Sequence, residues 1–390
     1  MRPATVYVLF NLLLGLSMGF TATSYVPFVL SIGVTMPQVA LINAAFFLTI
    51  VLMELPTGML ADGRSRAWSV RAGALLSGLG HLAYAFASGL TEAIVCEVII
   101  GVAFAFMSGT LEAWAADAVG GDGERLRRTF GSGALFTSLG LLVGGCVSAP
   151  LCTLDLRLGM IIGGGFGLAA FVVACAFMGE AGEPAVRTSE VTAFKDSWQA
   201  LKNGPALRWA LVAFAAFALV LSFNHYWAPF FRVRVEQAGL AYVWLVIYGG
   251  CLVGAFALRR WADSCRGHET TAVVLTIALT AVGMTLIGLA GGLVVPLALA
   301  FLHEIGRGAF KPLMEAFVQC RITSSFRATY GSLQSLIGRA GYALVLALVW
   351  LLTRHLPDGD ALIVLTWVVQ GSLLLLIAGA LWLFRPRKID

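Results

Sequence analysis

Apolar residues in this chain come in long unbroken blocks, each roughly 20 residues, separated by short charged or Gly/Pro-bearing connectors. Blocks fall at 5–31, 38–59, 70–89, 93–117, 130–151, 157–179, 207–231, 238–258, 271–290, 293–318, 329–353 and 361–383. Each is long enough to cross a bilayer as an α-helix, so the pattern predicts an all-α integral membrane protein with twelve transmembrane helices. The first block, from about Ala4 to Ile32, exceeds the apolar core of a cleavable signal and is read as the first span. The longest connector is also the most charged, and it divides the chain into residues 1–179, a linker at 180–206 and residues 207–390, six spans on either side. Within the linker Val191, Phe194, Trp198 and Leu201 recur at helical spacing beside Lys195, Asp196 and Lys202, the pattern of a helix lying flat at the cytoplasmic interface or of a plain tether.

Composition agrees with a lipid solvent. Hydrophobic residues make up 59% of the 390, charged ones only 12%, and the mean hydropathy is +0.87. A soluble fold has too little polar surface for that mix. The net charge of +5 does not point to nucleic acid, because the basic residues sit in connectors rather than on one face with aromatics between them. The seven cysteines form no CxxC pair and read as buried thiols. Lys and Arg are distributed unequally. Connectors on the side of the termini hold 19, and the opposite side holds only Arg157, Arg232, Arg234 and Arg354. The positive-inside rule therefore puts both termini in the cytoplasm, in a membrane of the bacterial inner type.

The halves repeat. Arg127-x-Thr129-Phe130-Gly131-Ser132 before span five returns 200 residues later as Arg327-x-Thr329-Tyr330-Gly331-Ser332 before span eleven, and Ala61-Asp62 after span two returns as Ala262-Asp263 after span eight. Duplication predicts two six-helix bundles related by a pseudo-twofold axis, with a site between them.

The most specific stretch is Glu54-Leu55-Pro56-Thr57-Gly58-Met59-Leu60-Ala61-Asp62-Gly63-Arg64-Ser65-Arg66. It resembles the Gly-x-Leu-Ala-Asp-Arg-x-Gly-Arg-Lys signature joining spans two and three of the major facilitator superfamily, particularly its drug and proton antiporter-like branches. Gly58, Leu60, Ala61, Asp62 and Arg66 match; Gly63, Ser65 and Ala67 depart. The resemblance implies the fold of that superfamily over the whole chain, alternating access, and a cytoplasmic gate at Gly58, Asp62, Arg66 and Asp117. Physically, Gly58 permits close helix approach, Asp62 can cap a helix or meet the dipole at Thr329, and Arg66 reaches toward Asp117. The plainer alternative is that these charges only set topology and solvate a tight turn. Proton-coupled exporters of this superfamily often place an Arg four residues before a Gly in span four; here Glu97 precedes Gly101.

Ionisable groups within spans mark candidate chemistry, since hydrocarbon tolerates them only toward protein or water. In span ten His303, Arg307, Lys311 and Glu315 recur at i+4 with Glu304 beside them, and span eleven adds Arg339. Cations outnumber carboxylates in that half, which favours an anionic or carboxylate-bearing substrate group at His303, Arg307 and Arg339. Asn11 and Tyr25 in span one, Glu112 in span four, and Asn224 and His225 in span seven complete the substrate-binding candidates; Trp114 and Trp227 read more simply as interfacial. Burial favours a protonated carboxyl and a nearby Arg an ionised one, so Glu304 is the first proton-coupling candidate and Glu112 the second. Glu304 paired to Arg307 or Arg339 for structure alone is the other reading. Glu54 and Glu97 lie nearer span ends and rank lower.

Other classes are poorly supported. His355-Leu-Pro-Asp-Gly-Asp360 fits a His-x4-Asp acyltransferase pattern but occupies a small outer loop, there is no Walker loop, and His spacing offers no metal site. The reading is a monomeric, non-enzymatic secondary transporter without a cofactor, whose partners are lipid, protons and a small molecule. It exports an amphipathic compound by proton exchange. The alternatives are proton-symport uptake of an organic anion, nutrient or metal chelate, and a transporter-like sensor or scaffold.

Overall fold

The computed structural model describes residues 1–63, 65–119, 123–179, 204–261, 267–319, 321 and 327–386. The linker helix expected around Val191 to Leu201 lies outside them. Helices α1 (Pro3–Ala22), α2 (Tyr25–Ser31), α3 (Met36–Gly63), α4 (Arg66–Tyr84), α5 (Leu90–Met107), α6 (Thr110–Val119), α7 (Gly123–Leu151) and α8 (Arg157–Phe177) build spans one to six. Helices α9 (Pro205–Ala216) and α10 (Leu221–Trp261), joined through a 3-10 turn at Phe217–Val220, hold spans seven and eight; α11 (Glu269–Leu289), α12 (Val294–Gln319), α13 (Arg327–Thr353) and α14 (Asp360–Leu383) hold the last four.

Nine stretches among the described residues are long and apolar enough to cross a membrane, and the one at Pro205–Leu258 contains two spans. The expected spans outside this set are α4, with Arg66 and Arg71, and α12, with Glu304, Arg307, Lys311 and Glu315. Both are helical nonetheless. Large apolar side chains such as Leu52, Val172, Leu344 and Leu376 stand more than 60% exposed on the helix surfaces, as a lipid solvent requires.

Two of the expected spans are broken at chemically identifiable places, and the junction of two more is marked by an unusual backbone. Pro27 has no N–H, and its ring would strike the carbonyl of Thr23, so span one divides into α1 and α2 at Thr23 and Ser24. The freed Thr23 carbonyl accepts from the Gln237 side chain at 3.1 Å. Span four divides at Ser108 and Gly109, where Gly109 adopts a φ of 71°, open to glycine without a Cβ penalty. Spans seven and eight meet at Glu236, whose φ of 59° and ψ of −176° fold α10 back on itself.

The chain divides into two compact units, residues 1–185 with Phe231–Trp244, and residues 186–230 with 245–390. In the first, α1 packs on α7 and α8, α4 on α5 and α8, and α3 on α5. In the second, α11 packs on α12 and α14, and α9 on α13. The third span thus meets the fourth and sixth, and the ninth meets the tenth and twelfth, so each unit repeats the same internal pairing. Glycine permits the closest of these approaches: a Cβ on Gly19 would stand 2.5 Å from the Leu141 carbonyl oxygen.

Candidate functional site

The sharpest polar constellation of the second unit is assembled on α12. This helix presses against the second arm of α10, because Gly254 and Gly308 leave no room for a Cβ: one on Gly254 would collide with the Ile305 carbonyl oxygen, and one on Gly308 with that of Cys251. That contact seals Glu304, which has no accessible surface and whose Cβ is 3.0 Å from where a Cβ on Gly250 would be. His303 is sealed on another side by α11, where Gly283 touches its backbone. Its Nδ1 lies 2.9 Å from the Thr280 carbonyl oxygen, and its ring packs 4.4 Å from that of Phe223. His303 is therefore packed between helices in this structure.

One turn further, Arg307 emerges. Its Nε is 2.9 Å from Glu304 Oε2, its Nη1 donates to Asn224 Oδ1 on the first arm of α10, and 28% of its side chain remains exposed. Tyr342 on α13 and Cys251 on α10 lie within its electrostatic reach. One guanidinium thus joins Glu304 on its own helix to Asn224 on α10. It is fixed by a buried carboxylate and has surface to spare, the arrangement of an anion-binding group held in place. His225 is buried beside Asn224, and its Nε2 has no hydrogen-bond partner among the described residues. Arg339 is half-buried on α13. Lys311 and Glu315 pair at 3.8 Å and are mostly exposed.

In the first unit the candidates scatter. Asn11 donates to the Tyr7 carbonyl at 2.9 Å and accepts from the Thr137 hydroxyl at 3.0 Å, tying α1 to α7. Tyr25 lies beyond the break, in α2, where Asn43 donates to its hydroxyl at 2.9 Å. The two do not share a site. Glu112 is exposed in the first turn of α6, within electrostatic reach of Tyr7. Trp114 is buried, donating its Nε1–H to the Gly179 carbonyl at 3.0 Å beyond the end of α8, and Trp227 is buried too, so neither is an interfacial ring.

At the gate, Arg66 bridges to Asp117 and donates to the Ala113 carbonyl at 3.2 Å, joining α4 to α6. Ser65, not Asp62, caps α4, accepting from the Trp68 N–H at 3.1 Å, while α3 continues through Asp62 to Gly63. The Asp62 side chain lies outside the described positions. A Cβ added to Gly58 would meet no atom of the described residues within 4 Å.

Glu97 is the residue that sequence reasoning undervalues. It is buried at 8% exposure in α5 and faces the Tyr25 hydroxyl. Its signal is a single carboxylate in the otherwise apolar run from Ala93 to Met107.

The profile of the Major Facilitator Superfamily matches residues 7–346. The chain belongs to the major facilitator superfamily. As a superfamily member it is a multi-pass membrane protein and a secondary transporter of a small molecule, not an enzyme. Solved structures with the same fold include a variant of the nucleoside transporter NupG, at a TM-score of 0.85 and 11% identity, covering 98% of this chain and 100% of that one. The peptide transporter POT in complex with sulfate has a TM-score of 0.77 at 14% identity, covering 99% and 94%. A bacterial homolog of the human lysosomal transporter Spinster, inward-facing and unoccupied, has 0.68 at 15%, covering 98% and 95%. No curated protein matches this sequence at a significant level.

Proposed function

We propose that this superfamily member exports an amphipathic small molecule bearing an anionic group in exchange for protons, by alternating access, as a monomer in an inner membrane of the bacterial type with both termini cytoplasmic. The observation that carries the reading is Arg307, a cation in mid-span α12 that Glu304 and Asn224 hold in place while part of its surface stays open. Hydrocarbon does not tolerate such a group, whereas a water-filled path does. In this reading Asn224, His225 and Arg339 complete the substrate side from the same unit. Glu304 supplies the coupling. The Arg66–Asp117 bridge, with Gly58 and Asp62, serves as the cytoplasmic gate. The drug-antiporter character of the loop after span two supports export.

Uptake of a polar nutrient by proton symport is the second reading, favoured by neighbours that are named as nucleoside and peptide transporters. Thermal-shift measurements on the detergent-purified chain separate the two. Candidates are amphipathic drugs, organic acids, metal chelates, nucleosides and peptides at two pH values. A ligand at a hundred times its Kd stabilises the folded state by about 2.7 kcal/mol. The expected result is a shift with anionic amphiphiles that vanishes in Arg307→Ala. A shift unchanged in Arg307→Ala contradicts the site.

A further inference from the structure

The first unit contains a second buried carboxyl for which the transport reading has no use. Glu97 projects from α5 about two turns from its start at Leu90, roughly 10 Å along the axis. It is enclosed by residues of three other helices. Tyr25 on α2 presents its hydroxyl to the carboxyl, Asn43 on α3 donates to that hydroxyl at 2.9 Å, and Tyr84 on α4 sets its ring edge-on to Tyr25 with centroids 5.6 Å apart. Val26, Phe28, Ile42 and Met160 pack the surroundings. The titratable groups facing Glu97 are the two tyrosines and, on its own helix, Cys96, with exposed Glu92 a turn and a half toward the helix start. No Lys, Arg or His among the described residues forms an ion pair with it.

That environment differs from the one around Glu304. Glu304 is in direct contact with the Arg307 guanidinium at 2.9 Å, whereas the polar side chain facing Glu97 is the Tyr25 hydroxyl. A buried carboxylate without a countercharge is costly, and the neutral acid is not. The hydrogen-bond inventory accommodates either form. A phenol has one donor hydrogen and two acceptor positions, and the Asn43 amide occupies one acceptor position of Tyr25. Toward an ionised Glu97 the Tyr25 O–H donates; toward a protonated Glu97 the remaining lone pair of Tyr25 accepts the carboxyl O–H. Rotation of the Tyr25 hydroxyl therefore meets either form of the carboxyl, its own O–H turning toward the Tyr84 hydroxyl when Glu97 is protonated.

We propose that Glu97, with Tyr25 and Asn43, is a reversible proton-binding site of the first unit, separate from Glu304. The proton adds to a carboxylate oxygen and leaves from it, and no other bond changes. The inference deepens the proton-coupled reading but does not depend on Glu304 being the coupling residue. The test needs no substrate: pH-difference infrared spectra of the full chain in phosphatidylethanolamine and phosphatidylglycerol liposomes, recorded in the region of the protonated carboxyl C=O stretch. Glu97→Gln is expected to remove one titrating component, Glu304→Gln to leave that component in place, and Tyr25→Phe to shift it by removing a hydrogen-bond partner. A spectrum of Glu97→Gln identical to that of the wild type overturns the proposal. If Glu97→Gln does not fold, Tyr25→Phe decides it, and a component that does not move there is equally fatal. A Glu304→Gln spectrum identical to that of the wild type counts only against Glu304 as the coupling residue and leaves the Glu97 component, as expected, in place.

Discussion

At the scale of single residues, what matters is which charges are held by the protein and which stay available. The Arg66–Asp117 bridge is about a third exposed on each side, so as a static contact it contributes less than about 1 kcal/mol. Asp117→Asn should therefore lower the melting temperature only slightly. If the bridge is a gate, the same change slows transport far more than it destabilises, which parallel melting and proteoliposome flux measurements check. Parallel small losses in both would reduce the bridge to a topology signal. The sequence identified Arg66 with Asp117, and Arg307 with Glu304, because opposite charges in apolar surroundings have few other partners. Each i+4 step turns a helix by about 40°, and one such step already parts two neighbours: His303 faces α11, and the longer Arg307 reaches the first arm of α10.

At the scale of elements, glycine and positive φ carry the local argument. Gly254 abuts the Ile305 carbonyl, so Gly254→Ala overpacks the contact between α10 and α12 and should cost about 1–3 kcal/mol. Gly58→Ala meets open space and should be neutral or stabilising by up to about 1 kcal/mol through helix propensity. Chemical or thermal melting of the two variants side by side checks the contrast. Glu236 occupies a region of backbone space that is essentially glycine's, at a cost of about 1–3 kcal/mol, and Glu236→Gly should recover part of it as a higher melting temperature. The apolar blocks made the spans legible, but the break in span one ahead of Pro27 was not expected, since 5–31 reads as one continuous block. The break at Gly109 was not legible, because a single glycine in a helical run is ambiguous until its φ is known. The depth of Glu97 was lost to a boundary error. With span four starting at 93 the carboxyl lies about one turn inside, but α5 begins at Leu90 and buries it two turns deep.

At the scale of the whole molecule, the duplicated sequence motifs and the repeated internal pairing of the two units describe the same architecture, and the superfamily match extends over most of the chain. The central functional claim is narrower: mid-span polar groups around Arg307 lie on a water-accessible path. Thiol reactivity measures this directly. In a chain whose seven cysteines are replaced by Ser, Asn224→Cys and Leu344→Cys are treated with a hydrophilic, membrane-impermeant thiol reagent in proteoliposomes. Leu344 is 61% exposed on a helix surface and serves as the lipid-facing reference. The account predicts that Asn224→Cys is labelled many times faster than Leu344→Cys, and that a ligand from the thermal screen slows it. Labelling at position 224 no faster than at position 344 would contradict it.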